Sequence, residues 1–158
     1  MRIRDIARID GFPCGEYNAV TDVKGVRVGH STVIKDGAGP VEGIARTGVT
    51  VVLPAGDIVE NAMYAGVFSL NGNGELSGCH WIEESGLLTT PIALTNTLNV
   101  GLVHDALVQY SIDQGHAAGV EVESVNPIVC ECNDAGLSDI QHRAIGYAQV
   151  MEAISSAI

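Results

Sequence analysis

The hydrophobic pattern changes along the chain, and this change limits the folds that the sequence can adopt. Two β-branched runs, residues 26–34 (VRVGHSTVI) and 48–53 (GVTVVL), are bounded by Gly, Pro and Asp. Such runs are typical of strands in a largely buried sheet. Residues 65–70 and 92–95 show a weaker form of the same pattern, so further strands are predicted there.

The apolar spacing becomes helical after residue 97. Apolar residues recur at three- and four-residue intervals from Leu98 to Tyr110, which predicts a helix. Asn96 or Thr97 is the predicted cap of this helix, and Gly115 is its predicted end. Leu76 to Glu84 is predicted to be a shorter helix.

One strand and one helix are predicted in the last part of the chain. Residues 125–132 have the pattern of a strand, and Pro127 near its start indicates either an edge strand or an irregular entry. Between residues 142 and 158, apolar residues at helical spacing predict one buried stripe, formed by Ile145, Ala148, Met151, Ile154 and Ile158. Strands followed by alternating helices and strands predict an α/β fold with helices packed on a sheet.

Length and charge restrict the possible partners. The chain has 158 residues, of which 46% are apolar, and this suits a single domain, residues 1–158. Its 19 acidic and 8 basic residues give a net charge of −11, so nucleic acid and anionic membrane surfaces are excluded as partners. The first residues, MRIRDIARIDGF, lack the apolar run of a signal peptide, and a cytoplasmic protein is expected.

The four cysteines, at positions 14, 79, 130 and 132, are expected to be free thiols. Cys130 and Cys132 form a C-x-C pair that a strand would place on one face. A zinc site needs two further ligands, and the other candidates, Cys79, His80 and His142, lack paired spacing. A structural role for the cysteines is favoured, no metal or cofactor is predicted, and a metal-binding module remains an alternative.

Two polar segments are candidates for a site. NGNGE, residues 71–75, is predicted to be a sharp turn, because Asn and Gly tolerate the left-handed backbone and the spacing of a dinucleotide fingerprint is missing. VCECNDAGLSDI, residues 129–140, combines thiols and carboxylates. From the residues alone, a polar pocket near residues 131–139 of an α/β domain is predicted.

Several segments form a specific set when they are taken in order. They are NAVTDVKGVRVGH (18–30), RTGVT (46–50), FSLNGNGELSG (68–78), WIEESG (81–86), PIALTNTLNVG (91–101) and VNPIVCECNDAGLSDI (125–140). With this set, which covers nearly the whole chain, the sequence resembles the N-terminal part of the DmpA family. That family comprises L-aminopeptidase/D-amino acid esterases, β-peptidyl aminopeptidases and nylon-oligomer hydrolases.

The resemblance implies a layered αββα sandwich similar to that of N-terminal-nucleophile hydrolases. It also implies a precursor that cleaves itself, with a Ser or Thr at the new N-terminus as nucleophile and its own amine as base. The family's nucleophile and oxyanion Asn correspond to positions downstream of residue 158. The resemblance therefore implies that the catalytic groups are not in this chain and that the missing C-terminal portion is its partner.

What the resemblance places in this chain is substrate recognition. The segment that matches residues 131–134 lines the family's pocket, where one residue contacts the free amino group of a small peptide, amide or ester. The candidates are Glu131, Asn133 and Asp134, and a carboxylate suits an ammonium group. The sequence departs from the family pattern at Ala135-Gly136 and at Ser138, which predicts a local difference in the backbone of this pocket.

The last predicted helix stops at Ser-Ser-Ala-Ile without a basic last turn or a Gly cap. This suggests a fragment or one piece of a larger assembly, and a frayed natural terminus is the alternative. The leading hypothesis is the N-terminal part of a self-cleaving Ser/Thr aminopeptidase or amidase. The alternative is a non-catalytic relic of the same fold that binds small molecules or assembles with itself. In either case uncovered apolar faces predict a homo-oligomer.

Overall fold

A four-stranded sheet organises the chain. The computed structural model describes residues 6–7, 11–37, 43–56 and 61–158, so most of the N-terminal stretch 1–12 lies outside the described residues. The strands of the sheet are β1 (Arg27–Lys35), β2 (Ala45–Leu53), β5 (Ile92–Thr95) and β6 (Ile128–Glu131), in the order β1-β2-β5-β6. A two-stranded sheet joins β3 (Met63–Tyr64) to β4 (Leu87–Leu88).

The first two strands form an antiparallel pair of nine residues each. His30 lies opposite Thr50 in this pair, and Lys35 lies opposite Ala45. β2 begins three residues before the predicted start at Gly48, because residues 45–47 continue the pairing with the end of β1. The strands predicted at 26–34 and 48–53 are thus confirmed with shifted ends, and the strand predicted at 92–95 is confirmed with the same ends.

β5 and β6 are parallel and are connected by a long helix, α2 (Val100–Ala118). Parallel neighbours need a crossover connection of this kind, which also covers one face of the sheet. Asn96 caps the start, as predicted, because its side-chain oxygen accepts a hydrogen bond from the Asn99 amide of the short 3-10 turn Thr97–Asn99. That turn leads directly into α2.

The predicted end of α2 at Gly115 is wrong, because the helix continues to Ala118 and Gly119 ends it with a left-handed φ of 70°. Gly115 has a different purpose. A Cβ built on it would lie 2.4 Å from Cγ2 of Val122 and 2.9 Å from the Val120 carbonyl oxygen. The glycine therefore allows the returning chain to pass close to the helix, which residue spacing does not reveal.

The last helix, α3 (Tyr147–Ser155), is shorter than the predicted helix over 142–158. A 3-10 turn at Ile140–His142 and the extended backbone of Gly146 precede it. Since the helix begins later, its fully buried positions are Val150 and Ala153, while Ala148 is exposed. The predicted stripe is correct only in part.

Helices α2 and α3 lie together on one face of the sheet and form the main core with it. Its largest buried side chains include Leu107, Val51 and Ile145. α3 lies directly against β1, because a Cβ on Gly29 would be 1.8 Å from the Ala153 carbonyl oxygen. Across the same contact, the Ser31 hydroxyl donates a 2.5 Å hydrogen bond to Glu152 Oε2.

A smaller apolar cluster covers part of the opposite face of the sheet. It joins Ile82 of helix α1 (Cys79–Ser85) to Leu88 and Ile128. The strand predicted at 65–70 is wrong. Ala65 and Val67 pack on this cluster, while Phe68 and Leu70 are exposed and the segment has no strand partner in the described parts of the chain. Alternating apolar residues are not sufficient for a strand, because a strand also needs backbone hydrogen bonds to a neighbouring strand.

The rest of this face is open. His30, Thr32 and Ile34 of β1 are exposed, and Leu94 of β5 is 38% exposed. The sheet thus has a covered helix side and a partly open side on which a site can form.

Among the described residues, none of the helices combines the length and the apolar character that crossing a bilayer requires.

Candidate functional site

A cavity of about 350 Å³ lies at the open face, where β5 and β6 end. The carboxyl ends of parallel strands are the usual place for a ligand crevice in α/β sheets. Thr95 and Asn96 at the end of β5 contribute to its wall, and Cys132 and Asp134 contribute from the segment after β6. The middle of the β1–β2 pair forms the other side.

A buried hydrogen-bond network forms the base of this cavity. Asn96 is 3% exposed, and its Nδ2 donates to Thr47 Oγ1 over 2.8 Å. The Thr95 hydroxyl donates to the Gly48 carbonyl oxygen over 3.2 Å. Asn99, which is fully buried, donates from Nδ2 to the Ile145 carbonyl oxygen over 2.8 Å. These bonds connect β5 to β2 and to the chain before α3, so the base is held rigidly.

An imidazole and a hydroxyl lie side by side on the β1–β2 wall. His30 Nδ1 and Thr50 Oγ1 are 2.9 Å apart, as their opposite positions in the register allow. Such a distance suits a base and a nucleophile. A third side chain that would orient the imidazole is not found among the hydrogen bonds of the described residues, so the pair by itself does not make a catalytic triad.

Arg46 is the basic residue with a permanent charge in the cavity wall. Its guanidinium donates to the backbone oxygens of Lys35 and Ala45, over 2.7 and 2.8 Å, and forms an ion pair with Asp36. These partners hold the guanidinium at the end of β1 and offset its charge. Among the described residues, no ion pair joins this guanidinium to the carboxylate of Asp134.

The loop that carries Asp134 is fixed by backbone contacts. The Asp134 carbonyl oxygen accepts hydrogen bonds from the amides of Leu137 and Ser138, over 2.8 and 2.9 Å. The Ser138 hydroxyl accepts from the Arg46 amide over 2.8 Å, and the Asp139 amide donates to the Ile44 carbonyl oxygen over 2.7 Å. The loop is thereby attached to the start of β2, and Asp134 has a defined place.

The three predicted recognition residues have different surroundings. Asp134 lines the cavity, is half-buried, and has a covered Oδ1 without a hydrogen-bond partner in the described chain. Asn133 is exposed, and its Oδ1 accepts a hydrogen bond from the Ala135 amide over 3.0 Å in a local turn. Glu131 is half-buried on β6, where its amide donates to the Glu75 carbonyl oxygen over 3.1 Å.

The C-x-C pair is divided by the end of β6. Cys130 lies in the strand beside the smaller apolar cluster, and burial raises the pKa of its thiol above the ordinary value of 9.0. Cys132 follows the strand, is exposed, and lines the cavity. No group of three or more metal-ligating side chains occurs within residues 6–7, 11–37, 43–56 and 61–158. The turn predicted at 71–75 is confirmed, since Asn71 Oδ1 accepts from the amides of Asn73 and Gly74. Its predicted reason is wrong, because Gly72 and Gly74 do not have a left-handed backbone.

Several residues of the cavity wall are not predicted as pocket residues by sequence patterns. They are His30, Arg46, Thr47, Thr50, Thr95 and Asn96. The pairing register brings His30 and Thr50 together, and that register depends on the connection between β1 and β2. The sequence predicts Asn96 as a helix cap. The polar run Thr95-Asn96-Thr97, which follows a buried strand, is the sequence feature that could indicate a crevice at the end of that strand.

Comparisons with known proteins agree with this architecture. The sequence profile of peptidase family S58 matches residues 18–158. The chain is 39% identical, over 159 aligned positions, to "Beta-peptidyl aminopeptidase BapA" of Sphingosinicella xenopeptidilytica. This match covers 99% of the chain and 39% of that relative, so the chain spans well under half of the curated protein it matches.

Solved structures confirm the fold class. The PH0078 protein from Pyrococcus horikoshii OT3 superposes with a TM-score of 0.89 and 41% identity, over the whole chain and 46% of that protein. A Burkholderia sp. beta-aminopeptidase superposes with a TM-score of 0.86 and 45% identity, over the whole chain and 44% of that protein.

The L-aminopeptidase D-Ala-esterase/amidase from Ochrobactrum anthropi superposes with a TM-score of 0.86 and 36% identity. That protein is described as a variant of the Ntn hydrolase fold. Its match covers 99% of the chain and 44% of that protein. The predicted α/β fold of the N-terminal-nucleophile type is therefore correct, and among the described residues it comprises a four-stranded sheet with α2 and α3 on one face and a two-stranded sheet. On sequence and structure together, the chain belongs to peptidase family S58.

Proposed function

We propose that the 158 residues form one domain that recognises the substrate's amino group in an aminopeptidase or amidase of this family. The substrates would be short peptides, amides or esters with a free amine. The names of the relatives, β-peptidyl aminopeptidase, β-aminopeptidase and L-aminopeptidase D-Ala-esterase/amidase, support this substrate class. The observation that carries the proposal is the position of Asp134 in the wall of the cavity.

Asp134 is the best of the three candidates on physical grounds. An ammonium group gives up its hydration when it enters a cavity, and charge-assisted hydrogen bonds to a carboxylate compensate for that loss. One oxygen of Asp134 is covered and lacks a donor in the described chain, so a cationic donor nearby would stabilise the carboxylate. Asn133 uses its side-chain oxygen in a turn, and Glu131 lies back on the strand.

The size of the cavity fits this role. Its volume of about 350 Å³ lies at the lower end of the range of small-molecule sites. Asn96 and Thr47 at its base are already hydrogen-bonded to each other, so they shape the cavity and leave the charge recognition to Asp134. Such a cavity would accept the first residue of a peptide or a small amino-acid amide.

The nucleophile would come from a partner segment outside these 158 residues. In this proposal the precursor cleaves itself, and the new N-terminal Ser or Thr attacks the scissile carbonyl while its own amine takes the proton. The open face of the sheet, with His30, Thr32 and Leu94 exposed, supports the presence of a covering segment. Asp134 would then hold the substrate so that its carbonyl faces the incoming hydroxyl.

Self-association is part of the same proposal. Tyr64, Phe68 and Leu70 are each at least 85% exposed, which is unfavourable for large apolar side chains on an isolated domain. Light scattering after size-exclusion chromatography would give the oligomer mass. A monomer at all concentrations would contradict this part of the proposal alone.

The proposal is tested by co-expressing the chain with the segment that follows it in the gene and measuring hydrolysis of aminoacyl amides. Asp134→Asn should raise KM about ten- to a hundredfold, as expected when a hydrogen bond to a charged group worth about 1.5–3 kcal/mol is lost. Asp105→Asn, on the exposed side of α2, is the matched control and should leave KM unchanged.

N-acetylated substrates should react poorly with the wild-type enzyme, because they lack the ammonium group. Activity that survives replacement of the Ser or Thr at the cleavage point would contradict the mechanism. Amine binding without any hydrolysis would favour the non-catalytic alternative.

A further inference from the structure

A second cavity, of about 440 Å³, lies between α1, the later part of α2 and residues 120–126. Its wall residues are all different from those of the first cavity. Trp81 of α1 and Ser111 of α2 contribute to it, and Val120 and Val122 contribute from the returning chain. The family resemblance assigns no role to this region, and the proposed amine recognition at Asp134 does not use it.

The returning chain is held tightly against α2. The Val120 amide donates a 2.8 Å hydrogen bond to the Gly115 carbonyl oxygen, and the lack of a side chain at Gly115 lets Val122 approach the helix. This attachment gives Val120 and Val122 fixed positions in the wall. The cavity is therefore a defined feature of the fold, with apolar surface on one side.

The wall combines an aromatic ring with acidic charge. Within the described chain, the charged residues that line the cavity are Glu121 and Glu123, both acidic and both exposed. The face of an indole ring attracts a cation placed within about 6 Å of its centre. The net charge of −11 acts in the same direction, since it attracts cations and repels anions.

The indole of Trp81 is not tied to a neighbouring polar group. Its Nε1 is covered, and it has no hydrogen-bond acceptor among the described residues. Because Trp81 is the only tryptophan of the 158 residues, its fluorescence also reports on this cavity alone.

We propose that the second cavity binds an organic ammonium ion whose nitrogen carries apolar substituents, as in a quaternary alkylammonium. The valines and the indole suit the methyl groups of such an ion, and the carboxylates of Glu121 and Glu123 suit its charge. A quaternary ion has no N–H donor, so it cannot replace a primary amine in hydrogen bonds to Asp134. The two cavities thus select different cations.

Titration of the full 158-residue protein with choline tests this proposal. Choline should change the emission of Trp81 saturably and bind about tenfold more tightly than its neutral carbon analogue, in which a tert-butyl group replaces the trimethylammonium. The double variant E121Q/E123Q should weaken choline binding severalfold. The matched double variant E83Q/E84Q, which changes exposed carboxylates of α1 outside the cavity wall, should bind choline like the wild type.

Saturation-transfer NMR of choline detects binding that leaves the emission unchanged, and circular dichroism confirms that the variants are folded. Asp134→Asn should not alter choline binding, which separates this site from the amine site. The proposal is overturned if NMR and fluorescence both show no saturable binding, if the neutral analogue binds equally well, or if E121Q/E123Q binds like the wild type.

Discussion

The side chain of Asn96 joins β5 to β2 through a 2.8 Å hydrogen bond from its Nδ2 to Thr47 Oγ1. Its Oδ1 accepts the Asn99 amide over 3.1 Å, so one buried residue also begins the turn that leads into α2. Asn96 and Thr47 both line the first cavity. Stability of the fold and the shape of the candidate site thus depend on the same side chain.

Replacing Asn96 with Ala should lower the free energy of unfolding by about 1–3 kcal/mol, because a cap is lost and the half-buried Thr47 hydroxyl loses its donor. Urea denaturation followed by circular dichroism measures this change. Asn73→Ala is the matched control. Asn73 is exposed in the 71–75 turn, so its replacement should lower the free energy of unfolding by less than about 0.5 kcal/mol. Equal effects of the two substitutions would show that the Asn96 bonds contribute little.

The contact between β1 and α3 should not tolerate an added methyl group. Gly29→Ala would place a Cβ 1.8 Å from the Ala153 carbonyl oxygen, and displacing the helix should cost about 1–3 kcal/mol or more. A Cβ on residue 101, in the first turn of α2, would have no atom within 4 Å. Gly101→Ala should therefore stabilise the folded protein by up to about 1 kcal/mol, because Ala has a higher helix propensity than Gly. Opposite shifts of the thermal midpoint are expected, and a stable Gly29→Ala protein would contradict the close approach of α3.

The Cys130 thiol should ionise only at alkaline pH. Burial disfavours its charged form, and since the thiolate is the reactive species, its alkylation by iodoacetamide should have a pH midpoint above 9.0. Mass spectrometry of the C132A variant reports Cys130 separately from its exposed neighbour, and C130A reports the neighbour. A midpoint for Cys130 at or below 9.0 would show that its thiol is not desolvated in the folded protein.

Local residue spacing correctly predicts several elements of the fold. The β-branched runs gave β1, β2 and β5, and the apolar repeat after Leu98 gave α2. The Asn-Gly turn at 71–75 is also local, since the Asn71 side chain makes its own hydrogen bonds to the next residues. In each of these cases the residues that determine the conformation are neighbours in the chain.

Features that depend on distant contacts were missed. A glycine at position 115 is typical of a helix end. In the structure, however, the position needs glycine because Val122 passes too close for a side chain. Residues 65–70 alternate like a strand but lack a strand partner in the described chain. The choice among Glu131, Asn133 and Asp134 likewise depends on where β6 ends and how the following loop attaches to β2, which the spacing of the residues does not determine.

The central claim, that Asp134 receives the substrate's amine, is tested most directly by calorimetric titration of the protein with β-alaninamide. Asp134→Asn should weaken binding at least about tenfold, since a charge-assisted hydrogen bond is lost. Glu131→Gln and Asn133→Ser, the latter keeping an oxygen for the Ala135 amide, should each bind within about twofold of the wild type. Loss of binding in Glu131→Gln, with Asp134→Asn unaffected, would contradict the claim.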